Sequence, residues 1–128
     1  MIFVDTSVWV DFFRSRRLSR VGALADLLEQ DLVGLALPVY LELLMGASKR
    51  DFDRLRTLLS ALPLYYPTDD TWLLLEGWTR SAVETSRRFG FGDLLIGAIA
   101  AGAGGQIWSF DQDFSGMEKL GFVRCYPG

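Results

Sequence analysis

The chain has 128 residues and a formal net charge of −3, with 50% hydrophobic and 23% charged residues. That length and apolar content suit one packed domain, residues 1–128, and exclude a disordered chain or a disulfide-built miniprotein. The absence of histidine and the single cysteine, Cys125, exclude Ser-His-Asp and Cys-His catalysis, histidine-ligated metals and Cys-rich zinc sites, and they predict a reducing, cytoplasmic setting.

In chain order, residues 1–4 form a short apolar run closed by Asp5, which predicts a first buried strand. Asp5 and Asp11 interrupt the apolar start, so no secretory leader is expected. Ser7 reads as the N-cap of a helix carrying Val8, Trp9, Phe12 and Phe13. A basic group follows, Arg14, Arg16, Arg17 and Arg20. Val21, Leu24, Leu27 and Leu28 recur at helical spacing over residues 20–30. A second apolar segment spans 32–37, and Pro38 is suited to be the first residue of a helix reaching Ala47. A second basic group, Lys49, Arg50, Arg54 and Arg56, leads into an amphipathic helix over 51–62, stopped by Pro63. Pro67 and Thr68-Asp69-Asp70 open a long helix to Arg88. Gly90 and Gly92 punctuate the chain, and Asp93 starts a helix over 94–103. The most apolar window, 94–108, is too short for a bilayer and is broken by Gly102, Gly104 and Gly105, so it predicts a buried helix and then a strand over 106–110, with no membrane association. Ser115-Gly116-Met117-Glu118 has the form of a capping box, Gly121 ends that helix, and residues 122–125 suggest a last strand.

Strands alternating with helices predict an α/β fold with a parallel sheet covered on both faces. In such sheets the functional crevice lies at the carboxyl ends of the strands. Asp5, Asp111 and Asp113 follow strands, Asp93 begins a helix feeding a strand, and Glu42 lies in a helix just after the second strand. Each acid has a structural explanation: Asp93 as a helix cap, Asp5, Asp111 and Asp113 as turn formers, Glu42 as a paired or snorkelling residue. Glu42 is nevertheless flanked by Val39, Tyr40, Leu41, Leu43, Leu44 and Met45, where an ionised carboxylate is costly unless it is paired or ligates a metal. Gly46, one turn on, admits close backbone approach beside it. Carboxylates gathered at one sheet edge repel each other, and a hard divalent cation such as Mg²⁺ or Mn²⁺ removes that repulsion. Such an ion also lowers the pKa of bound water, so no histidine base is needed for phosphodiester hydrolysis.

Four segments occur in order across the chain: Val4-Asp5-Thr6-Ser7, Glu42-Leu43-Leu44-x-Gly46, Asp93-Leu94-Leu95-Ile96-Gly97-Ala98 with Ala100, and Ser109-Phe110-Asp111-Gln112-Asp113-Phe114. By these motifs the chain resembles the PIN-domain ribonucleases, in particular the VapC toxins of type II toxin–antitoxin systems. The resemblance implies a three-layer α/β/α sandwich around a central, mainly parallel sheet of four to five strands. It implies Asp5, Glu42, Asp93 and Asp111 as an acidic quartet for one or two Mg²⁺ or Mn²⁺ ions, with Asp113 as a fifth acid. Ser109 stands where the family often has Thr, and its hydroxyl is expected to orient Asp5 or a metal-bound water, supported by Thr6 or Ser7. The implied activity is endoribonuclease cleavage of tRNA, rRNA or mRNA, leaving a 5′-phosphate and a 3′-hydroxyl. The implied partners are a second copy, giving a homodimer, and a cognate VapB antitoxin, giving a heterotetramer or larger. The family pattern seats the antitoxin in the groove between residues 8–20 and the 51–62 helix. Arg14, Arg16, Arg17 and Lys49 are candidates for RNA phosphate contacts, a role that competes with simple solvation. Tyr65, Tyr66 and the Trp residues offer faces for base stacking, in competition with core packing.

Other readings are an RNA-processing nuclease outside a toxin–antitoxin pair and a catalytically silent PIN-like binding module. A haloacid dehalogenase-type phosphatase needs a second acid two residues after the first, where Ser7 stands. Dinucleotide binding lacks its Gly-x-Gly-x-x-Gly after the first strand.

Overall fold

The computed structural model describes residues 1–14 and 18–128. Arg16 and Arg17, two of the expected RNA contacts, lie outside the described residues. The four strands are β1 (Ile2–Val4), β2 (Val33–Ala36), β3 (Leu64–Tyr65) and β4 (Gln106–Trp108). Their apolar residues explain why they are interior: all of β1 and β2 is buried, and both faces of a parallel sheet must be covered. The covering helices are α1 (Thr6–Arg14) and α2 (Leu18–Glu29), α3 (Leu37–Met45) and α4 (Phe52–Leu59), α5 (Asp69–Glu84) and α6 (Phe91–Gly102), and α7 (Gln112–Lys119). Among the described residues, no helix is long and apolar enough to cross a membrane.

All pairings are parallel, in the order β3-β2-β1-β4. The chain therefore lays down β1, β2 and β3 in one direction, then crosses back to set β4 on the free flank of β1. Where strand order reverses, the connections leave on opposite sides and a crevice opens outside the carboxyl ends. Here that point lies between β1 and β4. Val4 pairs with Trp108, so the residues that leave the sheet there are Asp5 and Ser109.

The core is one cluster in which Phe3, Leu24, Leu35, Ile96, Ile107, Phe114 and Met117 are almost wholly buried. α6 is buried continuously from Leu94 to Ala100, as a helix inside the protein rather than on it must be. The turn after α6 admits little change. A Cβ on Gly105 would stand 2.6 Å from a Phe3 ring carbon and 2.8 Å from the Met1 carbonyl oxygen, and backbone oxygen cannot swing aside. Gly105→Ala is expected to lower stability by roughly 1–3 kcal/mol, the usual cost of overpacking, measured by urea unfolding. An unchanged midpoint would show that this corner is looser than described.

Several local expectations are corrected by tertiary contacts. Ser7 is not an N-cap: α1 begins at Thr6, and the Ser7 hydroxyl points back to Asp5. Asp93 sits inside the first turn of α6, whose N-cap is Gly90. Ser115 is interior to α7, which starts three residues earlier because Asp111 caps it, so the predicted capping box does not form. The long helix ends at Glu84 rather than Arg88. Ser86 adopts φ 56°, Ser86 N–H donates to the Val83 carbonyl and Arg87 N–H to the Ala82 carbonyl, closing a Schellman motif. The last strand shrinks to a single bridge between Ile107 and Cys125, in which Ile107 N–H donates to the Arg124 carbonyl and Tyr126 N–H to the Ile107 carbonyl, while Cys125 N–H turns the other way to the Glu118 carboxylate. The edge strand β3 was not anticipated; two residues carry no periodicity.

Candidate functional site

The crevice is built around Asp5. Asp5 leaves β1 with its amide tied to the Trp108 carbonyl at 2.9 Å, and the residue is only 5% exposed. Its Oδ2 accepts hydrogen bonds from Ser7 Oγ at 2.9 Å and Ser109 Oγ at 2.7 Å. The two hydroxyls lie 3.3 Å apart and are themselves held, since Phe110 N–H donates to Ser7 Oγ and Asp111 N–H to Ser109 Oγ. The β4 exit is thereby stapled to the β1 exit through side chains. Oδ2 is thus engaged by two donors, so the orientation of the whole carboxylate is set.

α7 supplies two more acids. Asp111 Oδ1 accepts the Asp113 amide at 2.9 Å, capping the helix and leaving the other oxygen for different work. Asp93, half-buried on the first turn of α6, meets both: one carboxylate oxygen from each of Asp93, Asp111 and Asp113 lies within 4.8 Å of the other two. Asp5 and Glu42 stand outside that trio but within electrostatic reach. Burial first, then Asp111 and Asp5, push the Asp93 carboxyl up to about 7 from an ordinary 3.8. Burial also raises Glu42, and the charge of Asp5 adds to it, while the Thr6 hydroxyl opposes the shift. Thr6 Oγ1 approaches Glu42 without closing a full hydrogen bond; it is buried and has no partner.

Of the acids singled out in the sequence, Asp93, Asp111 and Asp113 form the tight trio, Asp5 acts on Asp93 and on Glu42, and Glu42 stands outside the trio. Ser7 and Ser109 both orient Asp5, whereas Thr6 does not touch it through a hydrogen bond given by its side chain. Arg14 lies apart from the trio. With Glu42, Phe13, Gly46, Arg54 and Leu58 it lines a groove of about 540 Å³ between α1, α3 and α4. Lys49, in the turn between α3 and α4, is exposed and does not line that groove. Arg54 was visible in the sequence only as one of a basic group; its position opposite Arg14 depends on how α4 packs.

The donor set tests well against a hard divalent cation. Every candidate ligand is oxygen, which suits Mg²⁺ or Mn²⁺ better than zinc. Two oxygens on one octahedral Mg²⁺ stand at most about 4.2 Å apart, so a trio within 4.8 Å needs only a small closure. The raised Asp93 carboxyl is what burial among other acids produces where no cation balances them.

The family model for the PIN domain matches residues 2–120. The chain belongs to the PIN-domain family. Solved structures share the fold over nearly the whole chain. VapBC2 from Rickettsia felis, bound to a DNA fragment from its promoter, superposes with a TM-score of 0.81 at 17% identity, covering 98% of each chain. FitAcB from Neisseria gonorrhoeae gives 0.78 at 19%, covering 98% of this chain and 96% of that one. Mycobacterium tuberculosis VapC20, described as a sarcin-ricin loop cleaving toxin, gives 0.63 at 24%, covering 99% and 100%. At these identities the likeness is one of fold. No curated protein matches this PIN domain by sequence.

Proposed function

We propose that this PIN domain is a metal-dependent endoribonuclease of the VapC toxin type, held in check by a small VapB-like antitoxin. The observation that carries the reading is the meeting of Asp93, Asp111 and Asp113 beside a buried, doubly oriented Asp5. A protein that only bound a partner gains nothing from a half-buried carboxylate crowded by others, an arrangement that raises Asp93 to about 7 through burial first and the charges of Asp111 and Asp5 after it. Asp5, Asp93, Asp111 and Asp113 would hold Mg²⁺ or Mn²⁺, with Glu42 completing the acidic wall. Bound there, the ion supplies an activated water and charge neutralisation at the phosphate. The chain's own part is positional. Ser7 and Ser109 fix Asp5, Asp111 is held by its capping bond, and Asp93 gives up its proton when the site is filled. Arg14 and Lys49 would offer cations to the RNA backbone.

Several solved neighbours are toxin–antitoxin complexes. The groove between α1, α3 and α4 opens beside Glu42, and it fits an inhibitory segment that covers the acids. We infer a homodimer, assembling with antitoxin into a heterotetramer or larger, in the cytoplasm.

The test is cleavage of total tRNA and rRNA with Mg²⁺, with Mn²⁺ and with chelator, the cut ends being mapped. Cutting restored by either metal and abolished by chelator supports the reading; cutting that persists in chelator rejects it. Ser109→Ala removes one of the two donors to Asp5 and the acceptor for the Asp111 amide. Loss of such supporting bonds at metal sites costs about 10–100-fold, and a drop of that size in the cutting rate is expected. A rate equal to wild type would show that Ser7 alone is sufficient.

A further inference from the structure

α5 has two unlike faces. Thr71, Leu75, Trp78 and Ala82 are buried against the protein, whereas Leu73, Glu76, Gly77, Arg80 and Val83 are exposed. The outer face is not the uniformly polar surface of a solvated helix. Leu73 and Val83 are 67% and 72% exposed, with the two charged residues between them. Residues 73, 76, 80 and 83 follow one another at steps of three and four, so they lie in one row along the helix. Gly77 flanks that row. Glycine weakens a helix interior, and among the described residues a Cβ at 77 would meet no atom within 4 Å. Packing within the chain therefore does not require it. What Gly77 leaves is a shallow hollow of about 470 Å³, lined with it by Glu76, Arg80, Val83 and Glu84.

The order of residues in the row points to its occupant. Leu73 and Val83 stand five residues before and after Trp78, and Glu76 and Arg80 stand two before and after it. Laid antiparallel on a copy of itself, with a twofold axis at the level of Trp78, the row meets its own complement. Leu73 then faces the partner's Val83, Glu76 faces the partner's Arg80, and each contact occurs twice, as in any isologous interface. A parallel pairing would set Glu76 on Glu76 and Arg80 on Arg80, which is unfavourable. The spacing of Glu76 and Arg80 also permits a pair within one helix, yet among the described residues no ion pair holds either side chain. Both charges are available to a partner. The distance between packed helices depends on the side chains at their contact, and the missing side chain at 77 lets the two backbones come close.

We propose that α5 is a self-association surface, on which two copies of this chain pair antiparallel with Leu73 against the partner's Val83 and Glu76 against the partner's Arg80. The pairing supplies a surface for the second copy in the proposed function and does not depend on the ribonuclease reading. The 16 residues of α5 make a helix about 24 Å long. Contact along that length alone is small beside the interfaces of permanent dimers, so the dimer is expected to be reversible and to depend on concentration.

Sedimentation equilibrium of the full chain, without metal or RNA and from micromolar to submillimolar protein, reads the association directly. Wild type is expected to pass from monomer to dimer over that range. Glu76→Arg and Arg80→Glu each set like charges opposite one another at both symmetric contacts. Each is expected to weaken the dimer about tenfold or more, while its melting temperature stays with wild type because both sites are exposed. Mixed in equal amounts, the two variants are expected to associate again with near wild-type affinity, since every charge in the mixed pair then faces its opposite. The double variant Glu76→Arg, Arg80→Glu exchanges the charges and is expected to recover the homodimer. Recovery on mixing decides the matter even where a single variant melts early. A wild type that stays monomeric, single variants that dimerise as wild type does, or a mixture that fails to associate overturns the pairing. Association rescued by mixing in a protein that cuts no RNA would keep this surface and reject the ribonuclease reading; metal-dependent cutting by a chain that never dimerises would do the reverse.

Discussion

Replacing Asp93 with Asn is expected to abolish metal-dependent RNA cutting and to stabilise the metal-free protein at neutral pH. The first effect follows from the trio: Asn keeps the shape but offers a neutral amide where an ion needs a charged oxygen. Metal-borne charge stabilisation is worth several kcal/mol in the transition state, so the cutting rate should fall on the order of 10³-fold. The second effect follows from what surrounds Asp93. Burial, Asp111, Asp5 and Asp113 all disfavour its charged form, lifting its carboxyl to about 7. The difference from 3.8 is about 4 kcal/mol if taken at face value. Asp93 is half-exposed, and solvent screening reduces that to roughly 1–2 kcal/mol. Against it stands the loss of a negative charge at the first turn of α6, worth about 0.3–1 kcal/mol. Relief of the buried, crowded charge wins, and Asp93→Asn should melt higher than wild type at pH 8 without metal. Loss of cutting together with a lowered melting temperature would identify Asp93 as a helix-capping residue instead. Such a gain of stability on losing a functional group is the usual mark of a strained site.

Adding Mn²⁺ or Mg²⁺ is expected to raise Tm, and by more at pH 8 than at pH 5. Between the unfolded value near 4 and the folded value near 7, the folded state binds the extra proton at Asp93. Stability of the metal-free protein therefore falls as pH rises through that window and levels off above it. Glu42, also raised, acts in the same direction. A cation meets a protonated, weakly binding Asp93 at pH 5 and an ionised one at pH 8. At about 100 times its Kd an ion adds about 2.7 kcal/mol, or roughly 10 °C in a domain of this size. The increment should collapse in Asp93→Asn and Asp5→Asn. A Tm indifferent to both ions at pH 8, measured by scanning calorimetry, would leave the acids without a metal function.

Much of this protein is legible along the chain because its signals are local and strong. Ile2-Phe3-Val4, Val33-Gly34-Leu35-Ala36 and Ile107-Trp108 are too apolar to lie anywhere but inside, and the helices between them leave a parallel sheet as the economical arrangement. The order of the four motifs led to the family, whereas the apolar neighbours of Glu42 suggest a buried acid and the structure leaves it exposed, because Leu43 and Leu44 take the inward face of α3. Local reasoning went wrong where a side chain had a better partner far away. Ser7 has the chemistry of an N-cap, but Asp5 Oδ2 and the Phe110 amide lie within its reach. Ser115 has the spacing of a capping box, but Asp111 had already started the helix.

Composition determined by itself that histidine takes no part in any chemistry here, which leaves carboxylates, hydroxyls, Arg or Lys, or a metal held by oxygen, since one cysteine cannot build a thiolate site. The hydrophobic pattern determined the α/β class. Only the tertiary structure decided that β4 returns to the flank of β1, and with it that Ser109, 104 residues along the chain, donates to Asp5. It also decided that Asp113 joins Asp93 and Asp111 within 4.8 Å while Glu42 stays outside that trio. The reason is one of range: hydrophobic periodicity is written in neighbouring residues, whereas the convergence of charges depends on strand order and register, which many distant contacts settle together.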